Sequence, residues 1–261
     1  MLRAMSSAAS GMSAQELRMD VIANNMANVN TTGFKRSRTE FQDVLYDNLK
    51  SAGALGGNGA QVPVGLQVGQ GVRPVATLQE FTMGDLKQTG NPFDLAIEGA
   101  GFFQVAQADG ELSYSRDGAF KIDAQGRLVT ADGLLVEPAL AVPPDAQQVT
   151  ITADGTVSVT RPGRPDPVEV GQLELAVFPN PAGLLAKGHN LLQVTPASGA
   201  PILTAPAQNG AGRLTQGVLE LANVRVVEEM IELIATQRAY ETNSRVIKAA
   251  DEMLGATANL K

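Results

Sequence analysis

Few residues of this chain have the types and spacing that catalysis or metal binding requires. His189, in a turn-like Lys-Gly-His-Asn run, is the only histidine, and the chain has no cysteine. One histidine leaves a tetrahedral metal site short of ligands. A serine–histidine–aspartate triad would lack the Gly-x-Ser-x-Gly turn that presents the serine in many hydrolases. We therefore interpret His189 as a surface or strand-edge residue and predict no catalytic residue and no metal site.

The glycine-containing motifs do not predict a ligand site either. The Asp-Gly pairs lie outside the Asp-x-Asp-x-Asp-Gly context that gives an EF-hand its calcium ligands. Gly99-Ala100-Gly101 lacks the third glycine of a dinucleotide-binding loop, and no Gly-Lys-Ser/Thr phosphate loop occurs. The sequence predicts no cofactor.

The charge pattern argues against a nucleic-acid partner. The net charge is −7 and aromatic residues make up 4% of the chain, so both phosphate neutralisation and base stacking have few candidates. Lys35, Arg36 and Arg38 form a short basic cluster, which we interpret as a solvated or subunit-contacting turn.

Neither a membrane span nor a cleaved signal is expected from the sequence. No run of about 18 apolar residues occurs, which is the length that crosses a bilayer as a helix. Residues 1–11 are mostly Ala and Ser and lack a continuous apolar segment before a cleavage site. We expect a protein that is cytoplasmic or is exported by a machine that needs no such signal.

Proline placement divides the chain into helical ends and a different middle. All 14 prolines lie between Pro63 and Pro206. Because proline costs about 3 kcal/mol inside a helix, long helices are favoured at the two termini. The middle is rich in Gly, Val and Thr, which favours strands and turns.

The N-terminal segment carries an a/d heptad pattern with one polar interruption at Gln15. The predicted seam consists of Met5, Ala8, Met12, Met19, Ile22, Met26 and Val29. Thioether side chains suit an interface that must adapt to slightly different neighbours. We predict a helix to about Val29, ended by Asn28, Asn30 and Gly33.

The C-terminal segment has a matching seven-residue period. Its predicted seam consists of Val226, Met230, Leu233, Tyr240, Ile247 and Leu254. Val227, Ile231 and Ile234 widen the seam in its first half, and Asn223 is a candidate N-cap. An amphipathic helix on an ordinary core, or on a membrane surface, is the alternative interpretation of either stripe.

In the middle of the chain, turn dipeptides recur at the spacing of short antiparallel strands: Asp109-Gly110, Asp117-Gly118, Gln125-Gly126, Asp132-Gly133 and Asp154-Gly155. Val149 and Ile151 before the last of these, with Val157 and Val159 after it, predict a single hairpin. The predicted fold class is therefore α+β, with long terminal helices forming a coiled-coil-like layer and a central antiparallel all-β domain. The predicted divisions are an N-terminal helix in 1–33, a Gly-rich connecting region in 34–71, the β domain in 72–219 and a C-terminal helix in 220–261.

The run from Ala23 to Lys35 resembles the N-terminal signature of the bacterial flagellar basal-body rod proteins and their hook relatives. Its family-motif residues are Asn24, Asn25, Asn28, Gly33 and Phe34. Further blocks similar to the family follow in family order at 41–46, 69–74, 84–90, 99–105, 114–118 and 237–241. The chain length and the Gly-Val-Arg-Pro block are most similar to the distal rod members.

The resemblance implies a non-enzymatic subunit that passes through the flagellar export apparatus and assembles into a helical tube. The terminal helices would form its inner layer, and the tube would act as a periplasm-spanning drive shaft that transmits torque to the hook. The implied partners are further copies, proximal rod and hook proteins, and the surrounding P- and L-ring proteins. The alternatives are a proximal rod or hook subunit, or a peptidoglycan-active β module with helical tails.

Overall fold

A computed structural model describes residues 2–51, 53 and 63–258. Part of the predicted Gly-rich connecting region, residues 52 and 54–62, lies outside the described residues. The described elements are α1 (Leu2–Ala27), β1 (Ser37–Asp43), β2 (Tyr46–Lys50), β3 (Leu66–Gly69), β4 (Val72–Gln79), β5 (Leu86–Gln88), β6 (Leu95–Glu98), β7 (Phe103–Ala106), β8 (Leu112–Ser115), β9 (Lys121–Ile122), β10 (Leu128–Val129), β11 (Leu135–Glu137), β12 (Gln148–Ile151), β13 (Thr156–Arg161), β14 (Arg164–Gln172), β15 (Leu175–Val177), a 3-10 turn (Pro181–Gly183), β16 (Leu185–Gly188), β17 (Leu191–Gln193), β18 (Ile202–Thr204), β19 (Arg213–Gln216), β20 (Val218–Glu220) and α2 (Val226–Ala258).

The chain divides into two compact units, each built from separate stretches of sequence. Unit 1 comprises Met1–Met26, Ser37–Leu78 and Arg225–Lys261, and unit 2 comprises Ala27–Arg36 and Gln79–Val224. The longer stretch of unit 2 begins at Gln79, whereas the predicted β domain starts at 72. Most of β4 falls in unit 1, where it pairs with β1.

Unit 1 contains the two helices and two pairs of strands. Its strand pairs are β1 with β4 and β2 with β3. Helix α1 ends at Ala27, two residues before the predicted end, and turns follow at residues 28–30. Helix α2 has 33 residues, which corresponds to about 50 Å at 1.5 Å per residue.

Unit 2 is an antiparallel β structure. Its largest sheet has seven strands in the order β16-β17-β8-β7-β11-β10-β9, and β12, β13 and β14 form a three-stranded sheet. The remaining strands pair as β15 with β18, β19 with β6 and β20 with β5. Terminal helices around a central antiparallel β region confirm the predicted α+β class.

Turn chemistry explains four of the tight connections between consecutive strands. Glycines with positive φ, Gly110, Gly126, Gly133 and Gly155, occupy the turns between β7 and β8, β9 and β10, β10 and β11, and β12 and β13. Their dipeptides are the predicted hairpin turns. Asp117-Gly118 differs, because it joins β8 to β9, which are not neighbours in the sheet.

The core of unit 2 consists of two apolar clusters. The larger joins Leu95, Ile97, Phe103, Phe120, Leu128, Val136, Leu140, Ile151, Val157, Leu173, Leu175 and Leu214. The smaller joins Phe102, Tyr114, Ala176, Phe178, Leu184 and Leu192. Because these side chains come from all parts of 95–214, the β region packs its own interior.

Candidate assembly surface

Helices α1 and α2 pack antiparallel within unit 1, and polar residues mark their contact. The Asn25 amide donates a hydrogen bond to Glu229 Oε2 at 3.2 Å. Nearer the start of α1, Gly11 lies so close to Asn243 that an added Cβ would be 2.8 Å from the Asn243 amide nitrogen. Contact positions rise along α2 as they fall along α1, so the helices run in opposite directions.

The predicted seam of α1 is only partly covered in the chain. Ala8 and Ile22 are buried, whereas Met5, Met12, Met19, Met26 and Val29 are half-buried. Ala14 and Asn25 are buried although they lie outside the predicted seam. Gln15 Oε1 is buried and has no hydrogen-bond partner among the described residues. The covered face of α1 is thus rotated away from the methionine row.

The face of α2 that contacts α1 is polar or small. It follows the seven-residue row Glu229, Thr236, Asn243 and Ala250, of which all but the half-buried Asn243 are buried. The predicted seam lies three residues earlier, which is about 60° around the helix. Its members Leu233 and Ile247 are half-buried, and Val226, Met230, Tyr240 and Leu254 are exposed.

The first two turns of α2 therefore present an apolar surface to solvent. This surface, the α2 apolar face, consists of Val226, Val227, Met230, Ile231 and Ile234, whose exposed fractions are 40%, 69%, 50%, 63% and 48%. A contiguous exposed apolar patch of this kind is typical of a protein–protein contact. The geometry of the single chain can thus supply a binding face for another molecule.

The signature residue Asn25 joins both helices of unit 1 to its first strand. Its amide donates to the Ser37 carbonyl oxygen at 2.8 Å, and its Oδ1 accepts the Ser37 N–H at 2.9 Å. Asn25 and its other partner Glu229 are 1% and 0% exposed. One side chain thereby satisfies buried backbone groups and a buried carboxylate, which would otherwise be costly.

The other signature residues shape the turn after α1. Asn24 is exposed, and the Asn28 side chain accepts a hydrogen bond from the Thr31 hydroxyl at 3.2 Å. Half-buried Phe34 donates its N–H to the Thr31 carbonyl at 3.3 Å. Gly33 has φ +67°, and an added Cβ would lie 2.6 Å from the Arg116 carbonyl carbon. Glycine is therefore required there both for conformation and for close approach.

A buried charge cluster in unit 2, made of Lys35, Arg116 and Glu220, was not predicted from the sequence. Lys35 Nζ lies 2.5 Å from Glu220 Oε1, and an Arg116 guanidinium nitrogen lies 3.4 Å from Glu220 Oε2. The three side chains are at most 4% exposed. Interpreting Lys35 as part of a solvated turn is therefore wrong, although Arg38 is exposed as expected.

Burial governs the electrostatics of this cluster. Desolvation lowers the pKa of Lys35, and it also lowers the pKa of Arg116, while the Glu220 carboxylate opposes both shifts. The Arg116 guanidinium carbon lies 5.3 Å from the centre of the Phe102 ring. Lys35 and Arg116 therefore share one carboxylate, and Arg116 alone also lies over an aromatic face.

Asn223 does not cap α2. Its Oδ1 accepts the Arg36 N–H at 2.6 Å, and its amide donates to the Glu80 carbonyl at 2.7 Å. The competing partners are backbone groups of other segments, which a capping rule applied to local sequence does not include. The expected cap is thus replaced by a long-range contact.

The structure gives His189 an exposed position. Its Nδ1 lies 3.2 Å from Asp132 Oδ2, and both side chains are more than half exposed. Among the described residues, no group of three acidic, histidine or cysteine side chains is placed to hold a metal ion. Across residues 2–51, 53 and 63–258, no helix is long and apolar enough to cross a membrane.

Three family descriptions match separate parts of the chain. "Flagella basal body rod protein" matches residues 5–35, "Flagellar hook protein FlgE/F/G D1 domain" matches 96–159, and "Flagellar basal body rod FlgEFG protein C-terminal" matches 215–260. The first and last matches contain most of α1 and α2, and the middle match lies in unit 2.

Individual relatives extend the similarity over the whole chain. A flagellar basal-body rod protein FlgG of Buchnera aphidicola subsp. Schizaphis graminum is 47% identical over 250 residues, which cover 96% of each chain. The FlgG of Caulobacter vibrioides is 46% identical with all of both chains covered. A FlgF rod protein from the same organism is 36% identical and covers 90% of this chain and 88% of its own.

Proposed function

This chain belongs to the flagellar basal-body rod protein family, and from that premise we propose that it is a structural subunit of the distal rod. The greater identity to FlgG than to FlgF supports the distal over the proximal position. In this proposal, copies of the chain polymerise into a helical tube within the basal body. The tube spans the periplasm and transmits torque to the hook.

The α2 apolar face is the observation that carries the proposal. Burying five aliphatic side chains that are now exposed stabilises a contact by about 25 cal/mol for each Å² removed from water. In the proposed tube, this face packs against a neighbouring copy. Both charge signs occur on the remaining surface of α2, such as Glu241 and Arg245, which suits contact with a like subunit better than with an anionic membrane.

The half-buried methionines of α1 complement this face. Met5, Met12 and Met19 are half-buried in the single chain, so part of each side chain stays open to a neighbour. Because thioether side chains adapt to irregular surroundings, they suit contacts that differ slightly around a helical assembly. The uncovered members of both predicted seams are thus proposed to lie between subunits, whereas Ala8, Ile22 and the polar row of α2 are covered within one chain.

The proposal includes the neighbours and the route of the subunit. The chain would contact the proximal rod and hook proteins at the two ends of its tube and turn inside the P- and L-rings. It would reach that place through the flagellar export apparatus, without a cleaved signal. No enzymatic role is proposed, and an assay on cell-wall fragments separates this function from that of a peptidoglycan-active module.

Electron microscopy of concentrated protein tests the function directly. Straight tubes are expected for a rod subunit, curved tubes would indicate a hook subunit, and monodisperse particles at all concentrations would contradict self-assembly. The variant Ile231→Asp should abolish tubes because it buries an unpaired carboxylate in the contact. Ala235→Asp introduces the same charge at an exposed position of the same helix, about 100° from the centre of the α2 apolar face, so it is the matched control and should still form tubes.

The monomer of Ile231→Asp must be compared with wild type at the same time. Ile231 is 63% exposed in the single chain, so its helix content and thermal midpoint should change little. Tubes formed equally well by both variants would show that the α2 apolar face is not an assembly contact.

A further inference from the structure

We infer that Glu220 and Asn223 form a positioning site, which fixes the chain segments that lead out of unit 2. Both residues lie just before α2, on the last stretch of unit 2. Their side chains bind two other segments that also adjoin unit boundaries. The inference deepens the proposed rod function, and only its expectation for the bending stiffness of the tubes rests on that function.

The chain connects the two units four times, at 26/27, 36/37, 78/79 and 224/225. Any load carried between the units through the covalent chain must pass along these connections. Their stiffness depends on how firmly the adjoining residues are held inside unit 2. Residues 33–36, 80–84 and 220–223 are the parts of unit 2 next to three of these connections.

Glu220 binds two of the other segments at once. Its Oε1 accepts hydrogen bonds from Lys35 Nζ at 2.5 Å and from the Gly84 N–H at 3.0 Å. Its carbonyl oxygen accepts the Gly33 N–H at 2.8 Å. The Lys35 ammonium also donates to the Thr82 carbonyl oxygen at 2.7 Å, so the segments around 35 and 82 are joined directly as well.

Asn223 repeats this arrangement with a neutral side chain. It accepts from the Arg36 N–H, and it donates to the Glu80 carbonyl and to the Thr82 hydroxyl at 2.9 Å. Its own N–H donates to the Phe34 carbonyl at 3.4 Å. Glu220 and Asn223 both belong to the segment 220–223, and each of them binds the other two segments, 33–36 and 80–84.

Arg116 attaches this site to the strands of unit 2. Besides Glu220, its guanidinium donates to the Ile97 carbonyl at 3.3 Å and the Gly99 carbonyl at 2.6 Å. Lys35 and Arg116 are both cations, so Glu220 is the carboxylate on which both depend. A buried ion pair contributes little net stability compared with apolar packing, but it fixes geometry and is costly to break. That property suits a positioning role.

Hydrogen exchange of the monomer, measured peptide by peptide, tests the site in Glu220→Gln. Loss of the carboxylate leaves Lys35 and Arg116 as two buried like charges. The amides of 33–36 and 80–84 should lose roughly a hundredfold or more in protection, because opening these segments no longer breaks an ion pair. Strands of the seven-stranded sheet should keep much more of theirs.

The matched control is Glu111→Gln, which makes the same chemical change at an exposed pair with Lys187. Its exchange should equal that of the wild type in 33–36 and 80–84. Equal exchange of Glu220→Gln and Glu111→Gln in these segments would overturn the inference.

The double variant Lys35→Met/Glu220→Gln keeps the test decisive if Glu220→Gln does not fold. Removing one of the two cations relieves their repulsion, so the double variant should regain the β fold while 33–36 and 80–84 remain weakly protected. A double variant that is as unfolded as the single one would show that Glu220 supports the whole unit, and would overturn a local positioning role.

Assembly then separates this inference from the proposed function. Tubes of Lys35→Met/Glu220→Gln should form but bend more easily than wild-type tubes in electron micrographs. Tubes as stiff as wild type would overturn the positioning role and leave the rod function intact. Absence of tubes from the wild type would contradict the rod function, while the exchange result on the monomer would still stand.

Discussion

The two units bury very different side chains. Among the described residues of unit 1, the buried apolar side chains are Ala8, Ala14, Ile22 and Ala250, so only one is larger than alanine. Unit 2 buries whole phenylalanine and leucine clusters. Exposed large apolar side chains are concentrated in unit 1. They lie on α2 and on or directly before the β2–β3 pair, where Leu45, Leu49 and Leu66 are more than half exposed.

This difference indicates where each unit obtains its stability. Unit 2 satisfies its apolar side chains by itself, which is the condition for independent folding. The helix pair of unit 1 is held within the chain mainly by polar and small residues and keeps its large aliphatic side chains for other contacts. We therefore expect unit 1 to gain order on assembly and unit 2 to be unchanged by it.

The largest expected effect on the monomer is from Phe103→Ala in the core of unit 2. Phe103 is buried and packs edge-on against Phe120 at 4.9 Å between ring centres. Truncation of a buried phenylalanine costs about 3–5 kcal/mol. Near-UV circular dichroism of the buried Tyr114 should report the lower midpoint in denaturant. Leu112→Ala, on the neighbouring strand but 44% exposed, should change that midpoint much less.

A smaller loss is expected from Asn25→Ala in unit 1. The substitution leaves the Ser37 N–H and the buried Glu229 carboxylate without these bonds, and each lost partner costs about 1–3 kcal/mol. The helical signal at 222 nm should melt at a lower temperature while the Tyr114 signal is retained. Ser13→Ala, at an exposed position of α1, serves as the control. Equal melting of the two variants would show that the amide does not hold the helices together.

The smallest expected effect concerns acid stability of unit 2. Hydrogen bonds from Thr215 and Arg213 lower the pKa of Glu98 below 4.5. A carboxyl whose pKa is lower in the folded state stabilises the fold above its unfolded pKa, and this contribution is lost as the pH falls through the folded value. The denaturant midpoint of unit 2 should therefore decline below about pH 4.5, and less steeply in Glu98→Gln. Arg213→Gln should likewise make the decline of the denaturant midpoint with falling pH shallower. If the decline is as steep in both variants as in the wild type, the Glu98–Arg213 pair is not its cause.

Local patterns were sufficient for much of the fold. Prolines confined to the middle of the chain predict terminal helices, and the Asp-Gly turns predict hairpins, because both rules depend on the dihedral angles of single residues. Val149, Ile151, Val157 and Val159 around Asp154-Gly155 predict a hairpin, and β12 and β13 do pair there, with Val149 opposite Val159 and Ile151 opposite Val157. Such features need no knowledge of distant partners.

The helix seams show what a hydrophobic period does not determine. The heptad positions identify apolar stripes, but they do not say whether a stripe faces the same chain or another molecule. Among the described side chains of α2, Glu229, Thr236 and Ala250 are the buried ones, whereas Met230 is half exposed. The face of α2 that contacts α1 is made of polar or small residues, so a search for apolar residues at a helical period does not identify it.

The sequence by itself determined the element types, the main turns and the family signature around Asn25 and Gly33. Only the tertiary structure decided which charged side chains are buried and paired. Lys35 and Glu220 are 185 positions apart in the chain, and each reads as a surface residue in its own local context. Burial of both becomes favourable only when the fold supplies opposite charge and backbone partners together, and that is a property of packing rather than of any local pattern.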